Sequence, residues 1–167
     1  MPVTKDYEEV VDGEIQIMPA PRSDHGYIVE SLVADFMSQL DRKQYRILSG
    51  NFGLVIRTAP LTSRTPDLAI FERATIVVVD GYFRSAPQLA IVVQSPSETR
   101  RRTERKLRDY ESLGIEEVWL ISQQAGTVEI LLLQDGALRQ SRILTEGILK
   151  PKHFPGVQID ISGIWPD

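Results

Sequence analysis

The sequence predicts an α/β sandwich: a central mixed β-sheet flanked by helices, with a β-hairpin at its N-terminal end. Three observations carry this expectation. Segments 24–42 and 96–113 repeat their apolar residues at helical spacing. Around them, short β-branched runs are separated by turn dipeptides. One run, "LAIVVQ" at 89–94, is almost continuously apolar and leads into the second helix, the pattern of a strand covered on both faces.

Each element has a local reason. "YEEVVDGEIQIM" reads as two strands joined at Asp12-Gly13, a strong hairpin dipeptide. "PAPRS" follows as a loop. Ser23 or Asp24 can cap the first helix, whose Ile28, Leu32, Val33, Phe36, Met37 and Leu40 share one face. Strands are expected near 45–49, 53–58 and 67–72, and "TIVVVDGYF" is strand-like with a turn at Asp80-Gly81. "SPSE" opens the second helix as a capping box: Ser95 caps, Pro96 takes the first helical position, and Glu98 reaches back to the cap. Gly114 closes that helix. "EEVWLIS", "TVEILLLQ" and "LRQSRIL" continue as strands, with turns at Ala125-Gly126 and Asp135-Gly136. The tail packs Phe154, Val157, Ile159 and Trp165 onto the body. No repeat or low-complexity linker interrupts the chain, so residues 1–167 are expected to form a single domain.

Composition sets outer limits. Of 167 residues, 42% are hydrophobic and 25% charged, the balance of a globular protein. A chain of this size buries roughly 70% of its unfolded surface without staples. The absence of cysteine excludes a disulfide framework, a thiolate metal site and a cysteine nucleophile, and it fits a cytoplasmic location. The opening residues do not read as a signal peptide, and no apolar run approaches a membrane span of about 18 residues. A net charge of −4 argues against a nonspecific nucleic-acid coat while leaving room for a local basic patch. Strand-rich sandwiches of this size commonly pair as symmetric homodimers, which is the expectation here.

The second helix carries the most informative residue. In helical phase, Thr103, Leu107, Tyr110 and Leu113 form one stripe, and Lys106 falls inside it. A lysine there either snorkels to water or meets a partner charge, because burying it alone is costly. Arg101, Arg105 and Arg108 fall on the opposite side, as a solvated face. With their neighbours from Arg100 onward they could also contact a phosphate backbone. "SRTPDLAIF" places Asp67 at a strand start, where it either makes a turn bond or holds a ligand. Gln94 ends the strand before the helix, and ligands in open α/β sheets gather at such carboxyl ends. Together these groups could hold a divalent cation and a phosphate.

"YEEVVDGEIQIMPAP", the helix start around His25, "TPDLAIF", "SAPQLAIVVQSPSET", "RKLRDYESLGIEEVWLI" and "FPGVQIDISGIW" are each modest motifs. In this order and spacing, the chain resembles a large bacterial family of restriction-endonuclease-like proteins, long treated as a domain of unknown function, within the PD-(D/E)XK nuclease superfamily. The resemblance implies a restriction-endonuclease-like sandwich and a Mg²⁺- or Mn²⁺-dependent DNA endonuclease. It implies that Asp67 binds metal and Lys106 assists, with Gln94 and the Val93 carbonyl completing the shell. Arg101, Arg102 and Arg105 would face DNA. Glu14, His25, Val92 and Glu98 would line the cleft.

The chain departs from the family at one decisive position. Members usually read like "LVVEVLSPS", and the glutamate three residues before Ser-Pro-Ser is here Val92. Strand alternation puts Val92 and Gln94 on one face. Losing one of two carboxylates should weaken Mg²⁺ binding, because magnesium relies on one or two of them plus substrate phosphates. The resemblance therefore implies weak or absent cleavage, or a degenerate nuclease fold that binds DNA or a protein partner. Gln94 and Glu98 are the two residues that could stand in for the missing acid.

Overall fold

Asp12 and Gly13 turn the chain with φ values of 51° and 81°, the left-handed pair that a tight hairpin requires. In this computed structural model, which describes residues 8–18, 22–50 and 52–167, they join β1 (Glu8–Val11) to β2 (Glu14–Ile17). The loop expected at "PAPRS" falls largely outside the described residues. Helix α1 spans Ser23–Gln39, and Leu40 caps it with extended backbone. It stops short of residue 42 because Asp41 turns the chain: its carbonyl accepts from the backbone N–H of Gln44 and Tyr45. Arg22, not Ser23 or Asp24, holds the N-cap, and it does so without a side-chain bond.

Apart from a two-stranded ribbon near the C-terminal end, the strands sort into two six-stranded sheets, one built of shorter strands than the other. After α1 come β3 (Tyr45–Ser49), β4 (Leu54–Thr58), β5 (Leu61–Arg64) and β6 (Leu68–Glu72). Then follow β7 (Val78–Val79), β8 (Tyr82–Phe83) and β9 (Leu89–Val93). Helix α2 (Arg100–Leu113) leads to β10 (Glu117–Ser122), β11 (Thr127–Gln134) and β12 (Ala137–Leu144). The smaller sheet has the order β2-β1-β5-β4-β8-β7 and the larger one β12-β11-β10-β9-β6-β3. In the larger sheet, β9 and β10 pair in parallel with Ile91 beside Trp119, and the other pairs are antiparallel. A parallel neighbour requires a crossover, and α2 is that crossover.

Alternation along β9 divides the core. Ile91 and Val93 point to the α1 side, where Ile28, Leu32 and Phe36 pack with Ile70, Trp119 and Ile121. Ala90 and Val92 point to the α2 side, with Tyr110, Val118, Leu120 and Leu54 of the smaller sheet. Both faces are covered, as the continuous apolar run predicts. The C-terminal segment pairs β13 (Ile148–Leu149) with β14 (Ile159–Asp160). It then closes the α1 side of the core with Phe154, Val157, Ile161 and Ile164, and Trp165 packs against them half-buried. Gln39 at the end of α1 ties this segment down twice: its Nε2 donates to the Gln158 carbonyl at 2.9 Å, and its Oε1 accepts from Gln158 N at 2.8 Å. No helix among the described residues is long and apolar enough to cross a membrane.

Three expectations need correction. β5 is absent from the sequence reading, because "LTSR" lacks the apolar alternation that marks a strand. "TIVVVDGYF" forms strand only over Val78–Val79 and Tyr82–Phe83, joined by the expected Asp80-Gly81 turn: Arg73–Thr75 make a 3-10 turn, and Val78 and Val79 sit exposed on a short edge strand. Helix α2 begins at Arg100, not at residue 96. Ser95 to Glu98 instead form a turn, with Glu98 N donating to Ser95 O at 3.0 Å, and Thr99 Oγ1 caps the helix by accepting from Arg102 N at 3.2 Å. Glu98 is thereby released from capping.

Glu117 shows how the larger sheet tolerates a buried charge. It is 2% exposed, and its two oxygens accept from Trp119 Nε1 and from Lys152 N, each at 2.9 Å. Burial raises its pKa above the ordinary 4.5, outweighing both hydrogen bonds. Glu117→Ala should destabilise the fold by about 2–4 kcal/mol in urea unfolding, because the buried Trp119 indole N–H and the partly buried Lys152 N–H lose their acceptors. Since the folded pKa is raised, Glu117 contributes stability that is fully present below pH 4.5 and lost as pH rises through the folded value. The variant's stability profile should lack that decline.

Candidate active site

Asp67 sits between Pro66 and β6, where its backbone N–H donates to Ile91 O at 3.0 Å. That bond holds its carboxylate at the end of the neighbouring strand β9. Oδ2 accepts from Val93 N at 2.8 Å, and Oδ1 lies 3.0 Å from His25 Nε2. One carboxylate thus joins β6, β9 and the first turn of α1. The Asp67 hydrogen bond holds the His25 pKa above its ordinary 6.5, against the effect of partial burial.

Lys106 does not snorkel. It is 6% exposed, and its ammonium lies 3.0 Å from Glu98 Oε1. The turn at Ser95–Glu98 brings that carboxylate in, and the pair is buried on both sides. A buried ammonium requires such a partner, which explains why Glu98 leaves the cap. Gln94, half-buried at the end of β9, donates from Nε2 to Thr103 Oγ1 at 3.4 Å and so links the strand end to α2. Val92 is 4% exposed and presents its methyl groups on the same face.

These residues share one cavity of about 1160 Å³. Asp67, His25 and Val92–Gln94 line it from the sheet and α1, and Glu98 and Lys106 from the α2 side. Arg101, Arg102 and Arg105 stand exposed along its edge. Glu14 does not line it. The turn end of β2 carries Glu14 out to solvent, and Gln16 and Met18 further along the strand reach the cavity instead.

A second charged cluster supports this wall. Arg64 is 3% exposed, and its guanidinium meets Asp109 through Nε at 2.8 Å and NH2 at 2.7 Å, both to Oδ2. Arg57 NH1 binds the other Asp109 oxygen at 3.2 Å. Glu9 Oε1 lies 3.7 Å from Arg64 NH1, and its Oε2 accepts from Thr65 N at 3.0 Å. Sequence reading missed Arg64, Asp109 and Glu9. The available signal was helical phase, which at about 100° per residue sets Asp109 beside Leu113 on the packing side. Burial pushes the Tyr110 hydroxyl well above its ordinary pKa; the Glu9, Asp67 and Glu98 carboxylates add to the rise and the Arg64 guanidinium opposes it. That hydroxyl has no hydrogen-bond partner among the described residues.

The donor set does not complete a magnesium site. Among the described residues, no three acidic or imidazole side chains come together where they could hold a metal ion. Both Asp67 oxygens are engaged, Glu98 is paired with Lys106, and Glu9 with Arg64. Val92 supplies hydrocarbon where a second carboxylate would be needed.

The His25–Asp67 pair has a defined pH signature. A raised histidine pKa contributes stability that is fully present below pH 6.5 and lost as pH rises through the folded value. His25→Ala should therefore be most destabilised relative to the unsubstituted protein below pH 6.5, with the gap closing at alkaline pH. Urea midpoints across that range, together with the imidazole proton shifts of His25, measure it.

Known proteins agree with this architecture. A crystal structure of a putative nuclease belonging to DUF820, from Anabaena variabilis ATCC 29413, superposes with a TM-score of 0.78. The match covers 98% of this chain and 92% of that one at 18% sequence identity, a likeness of fold. No curated protein matches the chain. The family model for Uma2, described as a putative restriction endonuclease, matches residues 3–162. Nearly the whole sequence lies within that match, and the chain belongs to the Uma2 family.

Proposed function

We propose that the protein binds nucleic-acid phosphodiesters in the Asp67–Lys106 cavity and that its Mg²⁺-dependent DNA cleavage is weak or absent. The observation that carries this reading is Val92. It stands buried on the wall where the family's second carboxylate belongs, in a cavity that otherwise keeps the aspartate, the lysine and an arginine edge. A nuclease of this type would need a divalent ion to lower the pKa of the attacking water and to neutralise charge developing on phosphorus oxygens.

The chain's own groups suit phosphate binding better than phosphate hydrolysis. Arg101 and Arg102 are exposed at the cavity edge and offer guanidinium forks to backbone oxygens. Lys106 lies deeper and carries a positive charge that Glu98 only balances pairwise. Asp67 and His25 form a closed pair on the opposite wall. A phosphodiester entering this cleft meets cations at the rim and a nearly neutral interior.

Two measurements test the reading. A labelled DNA duplex should bind with strong salt dependence, and Arg101→Ala/Arg102→Ala together should reduce the slope of log K against log salt by about 2. Binding that ignores salt would refute contact through this edge. Val92→Glu should create Mn²⁺ affinity at least about tenfold above that of the unsubstituted protein in calorimetry, a difference of ~1.4 kcal/mol. Asp67→Ala should abolish the gain, and Val92→Gln, of the same length without charge, should not reproduce it. Efficient plasmid cleavage by the unsubstituted protein with Mg²⁺, lost in Asp67→Ala, would show that Val92 does not cripple the site.

A further inference from the structure

Three Asp-Gly turns in this chain adopt the same conformation, with aspartate φ values of 51° at Asp12, 52° at Asp80 and 52° at Asp135. Only the first is gripped by arginines. Asp12 Oδ1 lies 2.6 Å from Arg57 NH2, and Asp12 Oδ2 lies 2.7 Å from Arg105 NH2. Among the described residues, no ion pair involves Asp80 or Asp135. Turn geometry therefore does not explain the contact, since the same turn forms twice without it.

We propose that Arg57 and Arg105 form a phosphate subsite at the cavity rim, which the Asp12 carboxylate of the β1–β2 hairpin occupies until a nucleic-acid phosphodiester displaces it. This inference rests on the reading of the cavity as a nucleic-acid cleft and deepens it. The chemistry of exchange is direct. Each carboxylate oxygen goes to a different guanidinium, as the two non-bridging oxygens of a phosphodiester can. The side chains of Asp12, Arg57 and Arg105 are 44%, 38% and 50% exposed, so the pairs are open to competition by another anion. Of the two arginines, Arg105 lines the cavity with Arg101 and Arg102, and Arg57 meets it at Asp12 just beyond that lining.

The fork survives the loss of Asp12. Arg57 keeps its second bond, from NH1 to Asp109 Oδ1 at 3.2 Å, and Asp109 is itself fixed by Arg64. Arg105 is carried by α2, which the Asp109–Arg64 pair also holds in place. Hydrogen bonds from Arg57 and then Arg105 hold the Asp12 pKa below its ordinary value, so the occupant stays ionised at neutral pH. Asp12 also accepts a bond from Thr62 Oγ1, and its N–H donates back to the same hydroxyl. The hairpin thus has a neutral attachment that remains when its carboxylate moves away.

Asp12→Asn tests this without breaking the turn, because Asn-Gly is among the best hairpin dipeptides. The probe is a fluorescein-labelled DNA duplex, read by anisotropy at several salt concentrations. Asp12→Asn should bind about two- to fivefold tighter than the unsubstituted protein, the reach of an exposed ion pair. Its salt slope should rise by about 1 as an additional phosphate is engaged. Asp135→Asn, the same change in the same turn elsewhere, should leave both quantities unmoved. Arg105→Ala should cost more affinity in the Asp12→Asn background than alone, because Asp12 no longer occupies the arginine. Matched melting temperatures of the two asparagine variants confirm that the turn is intact.

Equal gains in Asp12→Asn and Asp135→Asn would reduce the effect to net charge and overturn the subsite. So would unchanged binding in Asp12→Asn when the unsubstituted protein binds well. If no variant binds the duplex even at low salt, the nucleic-acid reading of the cavity fails first, and the subsite falls with it.

Discussion

The buried pair between Arg64 and Asp109 is the constraint on which the cavity depends. It joins β5 of the smaller sheet to the inward face of α2, and both partners are almost wholly removed from water. Such a pair repays its desolvation only with good geometry and additional bonds. Here the guanidinium makes two short contacts to one carboxylate, Arg57 satisfies the other oxygen, and Glu9 balances the far side of Arg64. Rotation of α2 about its axis would break the three contacts to Asp109 and leave Arg64 with Glu9 alone. With that rotation blocked, Lys106, one turn earlier on the helix, must face the sheet end.

The site is built from the ends of elements, while their middles supply the packing. Asp67 opens β6, Gln94 follows β9, His25 lies in the first turn of α1, and Glu98 precedes α2. Chain ends can carry polar groups because they lie where the apolar layers stop. Val92 breaks this division, being a core-type residue in the last turn of the pleat before the cavity. It extends the α2-side core into space that would otherwise be polar, in the same cluster as Tyr110, whose hydroxyl has no partner among the described residues.

Much of this was legible in the sequence. The two helices, the Asp12-Gly13 hairpin and the doubly covered strand at 89–93 follow from periodicity and turn chemistry, which are local properties. Lys106 was legible as an anomaly, since a charge on an apolar stripe demands a reason. Its partner was not: "SPSE" satisfies a capping pattern, and only the three-dimensional proximity of a buried ammonium overrides that local preference. Arg64 and Asp109 were hidden for a similar reason. They lie 45 residues apart, and neither is unusual by itself. Strand β5 was missed because its inward residues, Thr62 and Arg64, are polar and buried by partners supplied elsewhere in the chain.

The tie between Gln39 and Gln158 bears on how the molecule is made. The α1-side core is roofed by Phe154, Val157, Ile159, Ile161 and Ile164, all contributed by residues that follow the larger sheet in the chain. During synthesis the ribosome delivers α1 and most of the larger sheet long before that roof exists. Until Ile164 has emerged from the exit tunnel, the inner side of α1 and the strands beneath it lack their cover. The nascent protein passes through an interval in which an apolar seam is open to chaperones or to other chains.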